Sequence, residues 1–265
     1  MALLEVEDIV RTFGGIRATD GVTFSVEDGD VLGIIGPNGA GKTVLLNLIV
    51  GIYRIEQGAI RFDGRRTDRL RSHQLARLGV ARTFQSTEQF KEFKVLDYVM
   101  LGRFHRQYRS TWACALGLPQ VIRSERQERA RARETLERLG LGDAYDVRMS
   151  ELAYGVQKQI DIARAMVSEP RLMLLDEPTS GTTSDERSAI ARALTEVAAS
   201  NSTLVIVDHD VRFLSGQCAR LLALNYGQKI AEGTPDEVLR HPGVLESYLG
   251  SVPEAGEAHE EPLPQ

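Results

Sequence analysis

The stretch "GPNGAGKT", residues 36–43, sets Gly36, Gly39 and Gly41 ahead of a lysine and a hydroxyl, Lys42 and Thr43. That spacing, G-x-x-x-x-G-K-[ST], suits a phosphate. Consecutive backbone N–H groups can wrap the anion, Lys42 can neutralise it, and the Thr43 hydroxyl can hold a magnesium ion. The glycines let the backbone approach where a Cβ would block it, while Pro37, Asn38 and Ala40 occupy the variable places. A glycine turn with no ligand would carry the same letters, and the pattern arises by accident in about one chain of this length in a hundred. A second group of residues answers to the same chemistry. Asp176 and Glu177 end the apolar run "LMLLDE", where one carboxylate can support magnesium, often through water, and the other can act on an attacking water. His209 closes "TLVIVDH". A lone histidine is more often an ordinary surface or core residue, but a place at the end of a buried strand favours a functional one. Gln85, the last letter of "ARTFQ", is weak evidence alone.

The elements that must position these groups are legible around them. "DVLGII" reads as a strand covered on both faces. After the loop a helix follows, with Leu45, Leu46, Leu48 and Ile49 facing inward and Gly51 as its stop. Strand, glycine loop, helix is the context that the phosphate motif requires. Ahead of it, "LLEVEDIV" and "GVTFSVEDG" read as strands; behind it come "GAIRF" with a "DG" turn, and "GVARTFQ" as a further strand. Residues 95–150 read as largely helical, and "SERQERARARETLERLG" as a solvent-exposed helix that docks by the edge carrying Leu136 and Leu139. "LMLLDE" and "TLVIVDH" are apolar strands separated by the helix "SDERSAIARALTEVAAS". In a parallel sheet their carboxyl ends share one edge, which places both acidic tips beside the glycine loop. "SELAYGVQKQIDIARAM" reads as an amphipathic helix, with Ser150 as a cap, Gly155 opening it and Ile160, Ala163, Met166 and Val167 on one side. In "TPDEVLR", Thr234 caps, Pro235 takes the first helical position and Glu237 closes a capping box. The ending, "SVPEAGEAHEEPLPQ", is acidic and almost free of large apolar groups, and reads as a disordered tail.

Bulk properties exclude other classes. The 265 residues, 42% of them hydrophobic, suffice for a substantial core. A formal charge of -5 and a pI near 5.7 argue against a nucleic-acid-seeking surface. The basic, aromatic stretch "LGRFHRQYRSTW", residues 101–112, is better read as a solvated helical face or a surface beside a membrane and its anionic lipid. Two cysteines, Cys114 and Cys218, form neither a disulfide framework nor a metal spacing and read as small core residues. With no spanning run and no cleavable leader, the expectation is a cytoplasmic protein.

Taken in order, "GPNGAGKT", "TFQ", "LAYG", "LMLLDE" and "VDHD" resemble the phosphate loop, glutamine loop, signature, magnesium strand and switch histidine of ATP-binding cassette (ABC) proteins. The resemblance covers the chain except its tail. Within that family, "FGGIRATDGVTFSVEDGDVLGIIGPNGAGKT", "VARTFQ", "LAYG" and "HPGVLESYLG" look like the ATPase subunits of importers for branched-chain and other hydrophobic amino acids. The resemblance implies an α/β P-loop NTPase cassette with a mostly parallel core sheet, an N-terminal antiparallel β subdomain and a helical subdomain at about 86–165. The cassette would fill residues 1–250, with an acidic tail at 251–265. It implies ATP and Mg2+ as cofactors. Phe13 would lie near the adenine; residues 36–43 together with Val44 would enclose the phosphates; Thr43, Gln85 and Asp176 would serve the metal. Glu177 would polarise water, His209 hold the γ-phosphate, and Gln85 also touch the membrane subunit. Leu152, Ala153, Tyr154 and Gly155 would complete the site of an opposite subunit. The implied partners are a second cassette, identical or related, permease subunits and, indirectly, a solute-binding protein, with no nucleic acid. The implied place is the cytoplasmic face of the cell membrane.

Several positions depart from the family pattern. Val44 stands where a second threonine is common, which removes one hydroxyl worth about 0.5–1.5 kcal/mol, or roughly two- to tenfold in affinity. Ala153 replaces the signature serine, Val156 the following glutamine, and Thr182 and Thr183 stand where leucine and then Asp or Asn are expected. Communication across a dimer is therefore more in question than nucleotide binding. Other readings are an importer ATPase for urea, another small amide or organic acid; a weakly hydrolysing regulatory cassette; and a soluble cassette ATPase of translation or DNA repair. The single cassette and the lack of sustained heptads oppose the last, and the intact Glu177 and His209 oppose the regulatory one.

Overall fold

The computed structural model describes residues 2–84, 87–106 and 119–249. Strands β3 (Val31–Ile35), β7 (Leu172–Asp176) and β8 (Thr203–Val207) are almost entirely buried. Continuous apolar runs of this kind need cover on both faces, as parallel strands have. With β6 (Val80–Arg82), β9 (Arg220–Asn225) and β10 (Gln228–Gly233) they form a sheet in the order β10-β9-β3-β8-β7-β6. The β6-β7, β7-β8, β8-β3 and β3-β9 pairs are parallel, and only the edge pair β9-β10 is antiparallel.

A second sheet, β2-β1-β4-β5, is antiparallel. It comprises β1 (Ala2–Phe13), β2 (Ile16–Glu27), β4 (Gln57–Phe62) and β5 (Arg65–Arg66). Leu4, Val6 and Ile9 of β1 pair with Val26, Phe24 and Val22 of β2. The register shifts between Val6 and Ile9, where Asp8 takes φ 47°, and this bulge turns Ile9 back to the core. The expected "DG" turn joins β4 to β5 with φ 53° at Asp63 and 68° at Gly64, the left-handed pair that a two-residue hairpin favours.

One apolar core fills the space between the sheets, and a second lies on the far face of the parallel sheet under the helix Ser184–Ala199. The expected inward residues Leu45, Leu46, Leu48 and Ile49 all lie in the first. Burying each such side chain contributes about 1.5–3 kcal/mol. A third core joins the helices Val95–Met100, Pro119–Arg138 and Tyr154–Met166. The charged helix Pro119–Arg138 docks through Ala132 and Leu136, as its pattern implies. At the other end, Thr234 and Glu237 form the expected capping box with Pro235 in the first turn. Ser150 does not cap the helix expected after it. Residues 149–151 make a separate 3-10 turn and Leu152 is extended, so the helix starts at Tyr154 behind Ala153. Among the described residues no helix is long and apolar enough to cross a membrane. Cys218 is buried as expected; Cys114, the acidic tail and residues 107–112 of the basic stretch lie outside the described residues.

Candidate nucleotide site

The loop of residues 36–43 leaves the end of β3 and is fixed by backbone. A Cβ on Gly36 would lie 2.2 Å from the Leu224 carbonyl oxygen, and one on Gly41 2.1 Å from that of Ala18. The Gly227 N–H donates to the Ala40 carbonyl at 3.1 Å. Gly41, at φ 96°, precedes the helix Lys42–Ile49 and supplies no side-chain cap, so first-turn N–H groups remain for an anion. Lys42 donates from Nζ to the carbonyls of Gly36 and Pro37 at 2.7 and 2.9 Å. Burial lowers its pKa, and the charges of Glu177, Asp176 and Asp208 act in the opposite sense. The acidic tips of β7 and β8 are thus near enough to act on the lysine, as the parallel topology was expected to place them. Pro37, Asn38 and Gly39 are on the solvent side. Val44 packs against the first core, which gives its apolar side chain a structural role.

Asp176, the last residue of β7, has a buried side chain. Its Oδ1 lies 3.4 Å from the Thr43 hydroxyl. A hydroxyl and a carboxylate converging beside a phosphate loop are the hard oxygen donors that Mg2+ selects, with substrate phosphates and water completing its shell. The donor chemistry fits that ion. Glu177, the next residue, has φ 49°, a left-handed conformation that is uncommon for a non-glycine residue and recurs at functional sites. Its N–H donates to the Val207 carbonyl at 2.8 Å, so the turn that redirects this carboxylate is tied to the neighbouring strand. His209 follows β8, largely exposed, with Nδ1 3.5 Å from Asp208. Asp208 itself is buried and accepts from the Thr179 N–H and hydroxyl at 3.0 and 2.7 Å.

The signature segment is held differently. Ala153 gives the helix Tyr154–Met166 no side-chain cap. The Gly155 N–H donates instead to Oε1 of Glu186, at 3.1 Å, across a sequence gap of 31. Oε2 of Glu186 accepts from the Thr183 N–H and hydroxyl at 2.8 and 3.0 Å, closing the capping box of the helix Ser184–Ala199. Hydrogen bonds from Thr183 and Gly155 hold the Glu186 pKa down. Thr182 is buried, and its hydroxyl donates to the Thr179 carbonyl at 2.6 Å. Lys158 lies over the Tyr154 ring, 5.4 Å from its centroid, and donates to the Glu177 carbonyl at 3.2 Å. "LAYG" and "GTTSD" thus meet within one subunit. Leu152 and Val156 pack on the third core, while Ala153 and Tyr154 are exposed.

Phe13 ends β1 with Arg11 over its ring at 4.6 Å and the Tyr53 ring edge-on at 5.0 Å. Gln85 lies outside the described residues. The segment before it is anchored: the Phe84 N–H donates to Asp161 at 2.6 Å, and the Arg164 guanidinium lies 3.8 Å from the Phe84 ring centroid. Sequence reading missed Arg82, Asp208, Lys158 and Glu186. The first two had a signal, since a charged residue beside an apolar strand must find a partner if it is buried. Lys158 and Glu186 look like ordinary helix-surface residues, and only the packing of the two helices reveals them.

A family model described as ABC transporter matches residues 19–180, and one described as branched-chain amino acid ATP-binding cassette transporter matches residues 228–253. The high-affinity branched-chain amino acid transport ATP-binding protein BraF of Pseudomonas aeruginosa is 36% identical over 255 residues, which cover 94% of this chain and 98% of the relative. Its counterpart LivG of Escherichia coli is 32% identical over 251 residues, with the same coverage, 94% and 98%. A crystal structure of the ADP conformation of an ATP-binding cassette from an ABC transporter superposes with a TM-score of 0.83 at 32% identity, covering 94% of this chain and 99% of that one.

Proposed function

The chain belongs to the ABC transporter family and is an ATP-binding, ATP-hydrolysing subunit of a transporter; we propose that this transporter imports branched-chain or other hydrophobic amino acids. Supporting that substrate class is the match of residues 228–253, distant in sequence from the phosphate loop, to the branched-chain model. The match includes the helix Pro242–Leu249, whose Gly243, Glu246 and Ser247 line a cleft shared with Pro37, Asn38 and Gly39.

The single observation that carries the catalytic roles is the convergence of Lys42, Thr43, Asp176 and the left-handed Glu177 at one sheet edge. The backbone N–H groups that follow Pro37 in the loop and the Lys42 ammonium hold the phosphates, with Phe13 against the adenine. Thr43 and Asp176 would hold Mg2+, which when bound neutralises phosphate charge. Glu177 polarises the attacking water and His209 holds the γ-phosphate; Gln85 keeps its proposed role as a sensor of metal and water. Leu152, Ala153, Tyr154 and Gly155 complete the site of an opposite cassette.

Work leaves through a docking surface. A groove of about 530 Å³ runs between the sheets and the helical region, with Leu75, Val80, Phe84 and Phe104 among its walls, and suits a short segment of a permease subunit. The chain then sits at the cytoplasmic face of the membrane, with a solute-binding protein delivering cargo that it never touches. Because the cradle is intact and the segments offered across a dimer are the altered ones, the chain turns over ATP poorly as a homodimer. It does so faster beside a related cassette with an unaltered signature. Copurification with permease and solute-binding partners, followed by ligand screening of the latter, tests the substrate class. A binding protein that takes urea or organic acids and ignores leucine, isoleucine and valine would overturn it.

A further inference from the structure

Arg82, the last residue of β6, reaches under the nucleotide site with a side chain only 15% exposed. Its Nη2 donates to Oδ2 of Asp176 at 2.8 Å, and its Nη1 donates to Oδ1 of Asn47 on the phosphate-loop helix. Its own carbonyl accepts from Nη2 of Arg164, on the helix that begins at the signature, at 2.8 Å. The neighbouring Thr83 hydroxyl accepts the Asp176 N–H at 3.3 Å. A planar guanidinium that bonds two elements through separate nitrogens of a rigid fork fixes their spacing and orientation more firmly than a lysine ammonium, a point charge on a flexible stem. Asp176 has two oxygens, and Arg82 engages one. The other, Oδ1, is thereby left facing the Thr43 hydroxyl.

We propose that Arg82 is the positioning residue for Asp176: it commits Oδ2 to the guanidinium so that Oδ1 is presented beside Thr43, where Mg2+ would be supported. The inference rests on the roles proposed above for Thr43 and Asp176. Outer partners that orient a metal-supporting carboxylate typically change metal affinity by about 10- to 100-fold when removed. Arg82 also lines the groove, so this contact lies between the docking surface and the carboxylate.

The test is calorimetric binding of ATP to the full-length chain, with Mg2+ and with EDTA, for wild type, Arg82→Gln, Arg82→Lys, Asp176→Asn and the Arg82→Gln/Asp176→Asn double variant. In Arg82→Gln the gain in affinity that Mg2+ confers falls about tenfold, while affinity in EDTA changes less than about twofold. Arg82→Lys, which can restore the Asp176 contact without the rigid fork, recovers part of the gain and keeps the test open if the glutamine variant folds poorly. In the Asp176→Asn background the Arg82→Gln change has no further effect. An undiminished Mg2+ gain in Arg82→Gln, a larger one, or an equal fall on top of Asp176→Asn overturns the inference. A wild-type chain that binds ATP with no Mg2+-dependent gain would instead overturn the proposed metal roles on which it rests.

Discussion

Around Lys42 the chain positions its donors with backbone. Gly36 and Gly41 press against the carbonyls of Leu224 and Ala18, and Lys42 is folded onto the carbonyls of Gly36 and Pro37. Around Gly155 the work is done by side chains. Glu186 spans from Thr183 to the Gly155 N–H, Thr182 folds back on Thr179, and Tyr154 is exposed beneath Lys158. Strand-tip geometry leaves a phosphate loop little freedom to vary. A helix start held by one carboxylate on a neighbouring helix can change its letters, because what it offers outward and what holds it in place are separate. That is how the Thr182, Thr183 and Ala153 departures coexist with an ordered structure.

The sharpest way to break this contrast is at Glu177. Glu177→Gln is expected to lower turnover by at least about 100-fold while ATP binding persists, since a positioned acid–base group contributes that much and the loop supplies the affinity. Rates near wild type in a preparation free of contaminating ATPases would remove Glu177 from its role. Lys42→Ala should act on the other quantity: the loss of a charged hydrogen-bond donor to phosphate weakens ATP binding by roughly 10- to 100-fold. Unchanged affinity by equilibrium titration would contradict the cradle reading.

Most of the fold was legible because its signals are local. β3, β7 and β8 are uninterrupted apolar runs, Gly51 takes the expected left-handed stop at φ 70°, and Thr234, Pro235 and Glu237 cap as their spacing dictates. Ser150 failed as a cap because a 3-10 turn intervenes, which no local pattern announces. The glycine loop between β3 and the helix Lys42–Ile49 was legible for the same local reason. Glu186 was not, and Arg82 only as a charge in need of some partner, since each acts on a residue far away in sequence, Gly155 and Asp176 respectively.

Smaller effects sharpen the comparison. Val44→Thr should tighten ATP binding by roughly two- to tenfold if a single hydroxyl is what the loop lacks. Weaker binding with a lowered melting temperature would show that the packing of Val44 on the first core outweighs it. Glu186→Ala should leave ATP affinity of the isolated chain unchanged and lower the turnover of a dimer about two- to fivefold, the scale of one charge at a helix start. An equal loss in both would refute the separation of the two regions. The Glu186 contact also titrates with a defined sign. Its pKa is lowered from 4.5 in the fold, so the contact's contribution is complete above that value and is lost as the pH falls through the lower, folded one. The Gly155 amide resonance should therefore shift with a midpoint below 4.5, and a midpoint at or above it would contradict the hydrogen-bond assignment.

The difference between the two regions converges on the per-site ATPase rate of this chain alone and beside a related cassette with an unaltered signature. Both preparations must be shown to be dimeric and compared at equal total sites, because association depends on concentration. A sound cradle, paired with altered segments that are proposed to serve the opposite cassette, predicts a severalfold higher rate per site in the mixed dimer. Equal rates per site would show that "LAYGV" and "GTTSD" serve the opposite site as well as the usual letters do, and would contradict the account.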